Sequence, residues 1–114
     1  MWWFKNSQLP VSLPEPLSSE EQKRIKRKCV ASLKALQSCL RANPGLPLAS
    51  KHLESRAIEC FAEVAAPQQA QAYKACYLAE MEDQEHPDYT ADACQAYVTA
   101  MADALRARHC HPLP

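Results

Sequence analysis

The chain has 114 residues, enough for one domain or for one domain with a tail. Thirteen Lys and Arg balance thirteen Asp and Glu, so the composition gives no reason to expect a nucleic-acid partner. A single Gly, abundant Ala and no alternating runs of β-branched residues predict an all-α protein and exclude a sheet-based fold.

The six cysteines leave two interpretations open, a metal site or a disulfide framework. No Cys-x-x-Cys pair occurs, and the nine to twenty residues between successive cysteines are long enough to place them on separate helices. This spacing favours disulfides over a zinc ribbon or a thioredoxin-type redox motif. We therefore expect an oxidising compartment.

Residues 1–17 are predicted to form an extended arm, because they contain Pro10, Pro14 and Pro16. Trp2, Trp3 and Phe4 at its start either dock on a partner or a bilayer surface, or form an exposed aromatic tail. The segment lacks the basic and apolar regions of a secretory signal, so we expect none.

The first helix is predicted to begin after Ser18, which forms a capping box with Glu21, and to end near Arg41. An apolar stripe with helical spacing runs along it: Ile25, Cys29, Leu33, Leu36 and Leu40. The basic residues of its first half lie mainly off this stripe. They form either a solvated face or a surface that steers an acidic partner.

Three more helices follow the turn at Asn43-Pro44-Gly45. Pro67 suits the first turn of the third helix, and Thr90 can cap the fourth. We expect the tyrosines of these helices to pack in a core between them: Tyr73, Tyr77 and Tyr97. The predicted bounds are roughly 48–66, 68–82 and 91–108.

The cysteines can be paired by reflection across each turn, because residues equally far from the turn face each other in an antiparallel hairpin. Positions 29 and 60 are equidistant from the bond between Pro44 and Gly45, so Cys29 and Cys60 should meet. The same reflection places Ser50 opposite Cys39.

The second hairpin gives the same kind of pairing. Cys76 and Cys94 are equidistant from position 85, and ten residues farther from the turn lie Ala66 and Ala104. Ten residues span about 15 Å, just under three turns, and so return nearly to one helix face. Cysteines at this spacing can fasten two antiparallel helices at two levels.

This arrangement resembles the twin CX9C proteins, also called coiled-coil-helix-coiled-coil-helix (CHCH) proteins. The resemblance covers about residues 20–66, where Cys29-x9-Cys39 faces Ser50-x9-Cys60, and more weakly about 66–108. It implies oxidative trapping in the mitochondrial intermembrane space. Ser50, Ala66 and Ala104 depart from the pattern by standing where the family has cysteines.

The departures leave Cys39 and Cys110 without hairpin partners. They either form a third bridge, Cys39–Cys110, between the hairpins or remain free thiols. The expected fold is two disulfide-stapled antiparallel helical hairpins with an extended N-terminal arm. Its segments are the arm 1–17, hairpins 18–66 and 67–109, and a C-terminal tail 110–114.

No adjacent cysteines, Cys-Pro-Cys, HExxH, GxSxG or Gly-rich phosphate loop occur, so we expect no catalysis, cofactor or metal. His109, Cys110 and His111 are too close in sequence for tetrahedral metal coordination.

The resemblance implies a structural accessory subunit of a respiratory-chain complex, peripheral to the inner membrane. The alternatives are a soluble assembly factor, a metallochaperone or a mitoribosomal subunit. The partners expected are other subunits of a membrane-embedded complex, with membrane-surface contact through Trp2, Trp3 and Phe4.

Overall fold

The computed structural model describes residues 15–82 and 94–113, and these residues form an all-helical fold. A short 3₁₀ helix precedes the second α-helix. The four α-helices of the described segments are α1 (Ser19–Ala42), α2 (Lys51–Ala65), α3 (Pro67–Glu82) and α4 (Gln95–Ala107). None of these helices is long and apolar enough to cross a membrane.

The start of α1 has the predicted capping box. The backbone N–H of Glu21 donates to Ser18 Oγ at 3.1 Å, and the Ser18 N–H donates to Glu21 Oε1 at 2.9 Å. These two bonds satisfy backbone donors that the first turn of a helix otherwise leaves unpaired. The cap therefore sets where the extended arm ends and the first hairpin begins.

The turn between α1 and α2 depends on its one glycine. Gly45 has φ of 78°, a left-handed conformation that costs a residue with a Cβ about 1–2 kcal/mol. The following 3₁₀ helix (Pro47–Ser50) packs on both α1 and α2, which brings α2 back antiparallel to α1. Pro67 begins α3 at its first position, as predicted.

The second helix is the centre of the fold, because it contacts α1, α3 and α4. It buries a broad face that includes Ile58 and Ala62. The core takes side chains from each of the four helices, so the two hairpins share one apolar interior: Ile25, Cys29, Ile58, Ala62, Val64, Ala65, Ala66, Ala70, Val98, Met101, Ala102 and Leu105.

The predicted tyrosine core of the second hairpin is wrong in part. Tyr73 packs against the shared core, but Tyr77 is 38% exposed and Tyr97 is 42% exposed. Small residues such as Ala70 and Ala102 occupy the interior instead. Close approach of α3 and α4 to α2 leaves room for methyl groups rather than for phenol rings. The predicted cap Thr90 lies outside the described residues.

Candidate functional site

The first disulfide joins the two residues that the reflection paired. Cys29 of α1 and Cys60 of α2 are bonded, with 5.8 Å between their Cα atoms. This separation lies within the 4.4–6.8 Å that a disulfide requires. Cys29 is 1% exposed and belongs to the core, whereas Cys60 is partly buried and packs against it.

The second disulfide joins α3 to the start of α4. Cys76 and Cys94 are bonded with 6.0 Å between their Cα atoms, and Cys94 occupies the N-cap position of α4. Ten residues away on each arm, Ala66 is buried and Ala104 packs against the same core. The reflection therefore identified both bonded pairs and two positions that face inward without sulfur.

The remaining cysteines, Cys39 and Cys110, are both free and half-buried. The suggested third bridge between them is not formed. Cys110 lies near Arg108 and Glu21 at the start of α1, whereas Cys39 is eighteen residues farther along that helix. Eighteen residues of helix span about 27 Å, far beyond the reach of one disulfide.

The free thiol of Cys39 faces the 3₁₀ helix, next to its predicted mirror partner Ser50. Cys39 Sγ donates a hydrogen bond to the Ala49 carbonyl at 3.6 Å, and Asn43 Nδ2 donates to the same sulfur at 3.6 Å. The Ser50 side chain is 1% exposed, and its hydroxyl has no hydrogen-bond partner in the described structure. Ser50 is therefore as buried as a disulfide-bonded cysteine, but it forms no bond to Cys39.

The Cys110 thiol is in a different environment. Burial raises the pKa of Cys110 above its ordinary value, the nearby Arg108 guanidinium opposes that increase, and Glu21 adds to it. A raised pKa leaves the group as a neutral thiol at pH 7, which is a poor nucleophile and metal ligand. Within residues 15–82 and 94–113, no three His, Cys, Asp or Glu side chains are placed to hold a metal ion.

Arg108 anchors the base of the arm, and this role was not predicted from the sequence. Its guanidinium donates to Glu21 at 2.9 and 3.1 Å, to the Ala65 carbonyl at 2.8 Å and to the Glu15 carbonyl at 2.7 Å. A further bond reaches the Pro16 carbonyl at 3.3 Å. One side chain thus joins the arm, the start of α1 and the ends of α2 and α4.

The electrostatics of this cluster follow from its geometry. The two hydrogen bonds from Arg108 and the capping bonds from Ser18 lower the pKa of Glu21 to about 2. A planar guanidinium matches a carboxylate in this two-bonded geometry better than an ammonium does. The carboxylate therefore remains charged throughout the neutral and mildly acidic range.

The proposed docking residues Trp2, Trp3 and Phe4 lie outside the described residues. What the structure describes of the arm is its last part, where Leu17 packs against the core and Arg108 binds two carbonyls. The base of the arm is thus fixed to the helical domain.

Comparisons with protein-family models, with curated proteins and with solved structures each give no match to this chain. The small all-helical fold with two interhelical disulfides is compatible with a CHCH-like protein.

Loss of the first disulfide should destabilise the protein far more than loss of Cys39. We expect Cys29→Ser or Cys60→Ser to lower the free energy of unfolding by about 3–4 kcal/mol, because either opens a loop of 31 residues. Cys39→Ser should cost less than about 1 kcal/mol, since its contacts are weak. Thermal unfolding of the three oxidised variants measures the difference, and equal melting temperatures would contradict this pairing.

Replacing the buried serine should create a second bridge in the first hairpin. In Ser50→Cys, the introduced thiol faces Cys39, and closing this short loop should stabilise the protein by about 2–3 kcal/mol. Alkylation followed by mass spectrometry should then find only one reactive thiol, that of Cys110, because the new bridge consumes two of the variant's three. Ser55→Cys is the control, because its reflected position is Lys34 and it should leave all three thiols reactive.

The Arg108–Glu21 pair should make the free energy of unfolding depend on pH in the acidic range. The folded-state pKa of Glu21 is depressed to about 2, so its contribution is complete above about pH 4.5 and is lost as pH falls toward 2. Arg108→Gln should cost about 1–3 kcal/mol at pH 7, and its difference from the unsubstituted protein should shrink below pH 4.

Arg106→Gln is the matched control for that experiment, because Arg106 is exposed and pairs with Asp103 at 3.5 Å. Urea unfolding from pH 7 to pH 2 measures all three proteins. A constant gap between the Arg108 variant and the unsubstituted protein would show that Glu21 is not the linked group.

Proposed function

We propose that this chain is a CHCH-type protein of the mitochondrial intermembrane space and a structural accessory subunit of a respiratory-chain complex. The observation that carries the proposal is the Cys29–Cys60 disulfide, which joins two helices at positions level across their turn. The family resemblance rests on this same spacing. Disulfides form in an oxidising compartment, and the intermembrane space is one.

The anchored arm supports a structural role. Arg108 binds the carbonyl groups of Glu15 and Pro16, so the chain leaves the domain from a fixed point. The aromatic cluster lies eleven or more positions before this point in the sequence, so Phe4 can lie at most about 40 Å from it. In this proposal Trp2, Trp3 and Phe4 contact a neighbouring subunit.

The free thiols favour a second candidate, an assembly factor or metallochaperone. Cys39 and Cys110 are unbonded, as that role would require. However, they lie near opposite ends of α1, so one chain cannot bring both sulfurs to the same metal ion without unfolding. The structural subunit is therefore the better-supported function.

Protease protection and crosslinking in intact mitochondria test the proposal. We expect the protein to resist protease in intact mitochondria and to be degraded once the outer membrane is ruptured. A photo-crosslinking residue in place of Trp3 should then give one stoichiometric adduct with a respiratory-complex subunit.

The same crosslinker in place of Gln71, an exposed residue of α3, distinguishes contact through the arm from contact through the helices. Recovery of the protein only as a free monomer, or its survival after rupture of the outer membrane, would contradict the proposal.

A further inference from the structure

The charges of this neutral chain are distributed very unevenly. The first helix carries seven Lys and Arg against two Glu, whereas the rest of the chain carries six basic against eleven acidic residues. Four of the seven share one side of α1, and we call these four the basic flank: Lys23, Arg27, Lys34 and Arg41. All four are exposed.

The basic flank points away from the other helices. At about 100° per residue, its members lie about 120–160° around the helix from Cys29, which faces α2. Lys28 lies on the other side of the helix and pairs with Glu63 at 3.0 Å, and Lys74 of α3 reaches the same carboxylate at 3.4 Å. Glu21, which contacts Arg108 of α4, lies on that other side too.

The charges of the flank are therefore uncompensated. None of its four cations forms an ion pair within residues 15–82 and 94–113. The first and last of them are eighteen residues apart, so the flank is a nearly straight line of positive charge about 27 Å long. A row of this length presents its charges together to an extended anionic surface.

Exposed apolar side chains accompany these cations. Val30 lies beside the flank and is 48% exposed. The turn and the 3₁₀ helix that follow Arg41 expose Leu46 by 61% and Leu48 by 79%. Isolated exposed leucines are ordinary, but leucines at the end of a cationic row are the combination that binds peripheral proteins to bilayers. Aromatic side chains for base stacking are missing from α1, which disfavours single-stranded nucleic acid.

We propose that the basic flank and the leucine-bearing turn form a surface that binds an anionic bilayer. Long Lys and Arg side chains without fixed partners suit mobile lipid headgroups, which require charge density rather than a fixed geometry. The leucines of the turn enter the interfacial region, and α1 lies along the surface. This inference rests on α1 and its turn and does not depend on the proposed compartment or complex.

Vesicle binding by the full-length oxidised protein tests this surface. The probes are vesicles of phosphatidylcholine alone and with 30 mol% phosphatidylglycerol, in 0.1 M salt. We expect measurable binding to the vesicles that contain phosphatidylglycerol and none to those of pure phosphatidylcholine. The triple variant R27Q/K34Q/R41Q should bind about 100-fold more weakly, since each cation near an anionic surface contributes about fivefold.

The matched control is R56Q/K74Q/R106Q, which removes the same numbers of Lys and Arg from exposed positions on the other helices. It should bind at least ten times more tightly than the flank variant at equal net charge. L46S/L48S should weaken binding while keeping its salt dependence. Adding R27Q/K34Q/R41Q to the arm variant W2S/W3S/F4S should weaken vesicle binding by the same factor as it does in the protein with the unsubstituted arm.

Equal losses in the two charge variants would overturn the proposal, because binding would then follow net charge and not the flank. Loss of all vesicle binding in W2S/W3S/F4S would also overturn it, since the arm would be the membrane contact. Tight binding of the flank to a 20-nucleotide RNA, without vesicle binding, would assign the surface to nucleic acid instead.

Discussion

The disulfide between Cys29 and Cys60 is the constraint on which the remaining contacts depend. It holds α1 and α2 in one register, with Cys29 buried in the core and Cys60 partly buried against it. With α2 fixed in this way, its remaining surface contacts both α3 and α4, and the second disulfide holds those two helices together. A chain of this size buries a modest core, so about 3–4 kcal/mol from one covalent bond is a large part of its net stability.

Arg108 also holds separate segments together, through hydrogen bonds, at the end of the first hairpin that lies away from its turn. Its five hydrogen bonds reach residues 43 to 93 positions away along the chain, and all five acceptor atoms lie outside α3, the hairpin partner of α4. The same packing fixes the base of the arm and leaves the basic flank of α1 exposed. The contacts of α1 with α2, with the 3₁₀ helix and with Arg108 lie on one side of it, which leaves the basic flank facing outward.

The sequence was most informative where a helix has a single partner. On α1 the predicted stripe contains the three residues that are buried: Ile25, Cys29 and Leu36. On α2 the sequence predicts the stripe Leu53, Ala57, Cys60, Phe61 and Val64. It leaves out the buried Ile58 and Ala62, because a helix with three neighbours buries a face wider than one stripe. Reflection found both disulfides, whereas Arg108 was missed because three of its acceptors are backbone carbonyls, which carry no residue-specific signal.

Mapping the disulfides of the protein isolated from its native cells tests the central claim most directly. Free thiols are alkylated at once, and the unreduced chain is digested between the cysteines and analysed by mass spectrometry. We expect two linked pairs of peptides, which join position 29 to 60 and position 76 to 94, and alkylated Cys39 and Cys110. A peptide containing Cys29 that is alkylated, or that is linked to any cysteine other than Cys60, would contradict it.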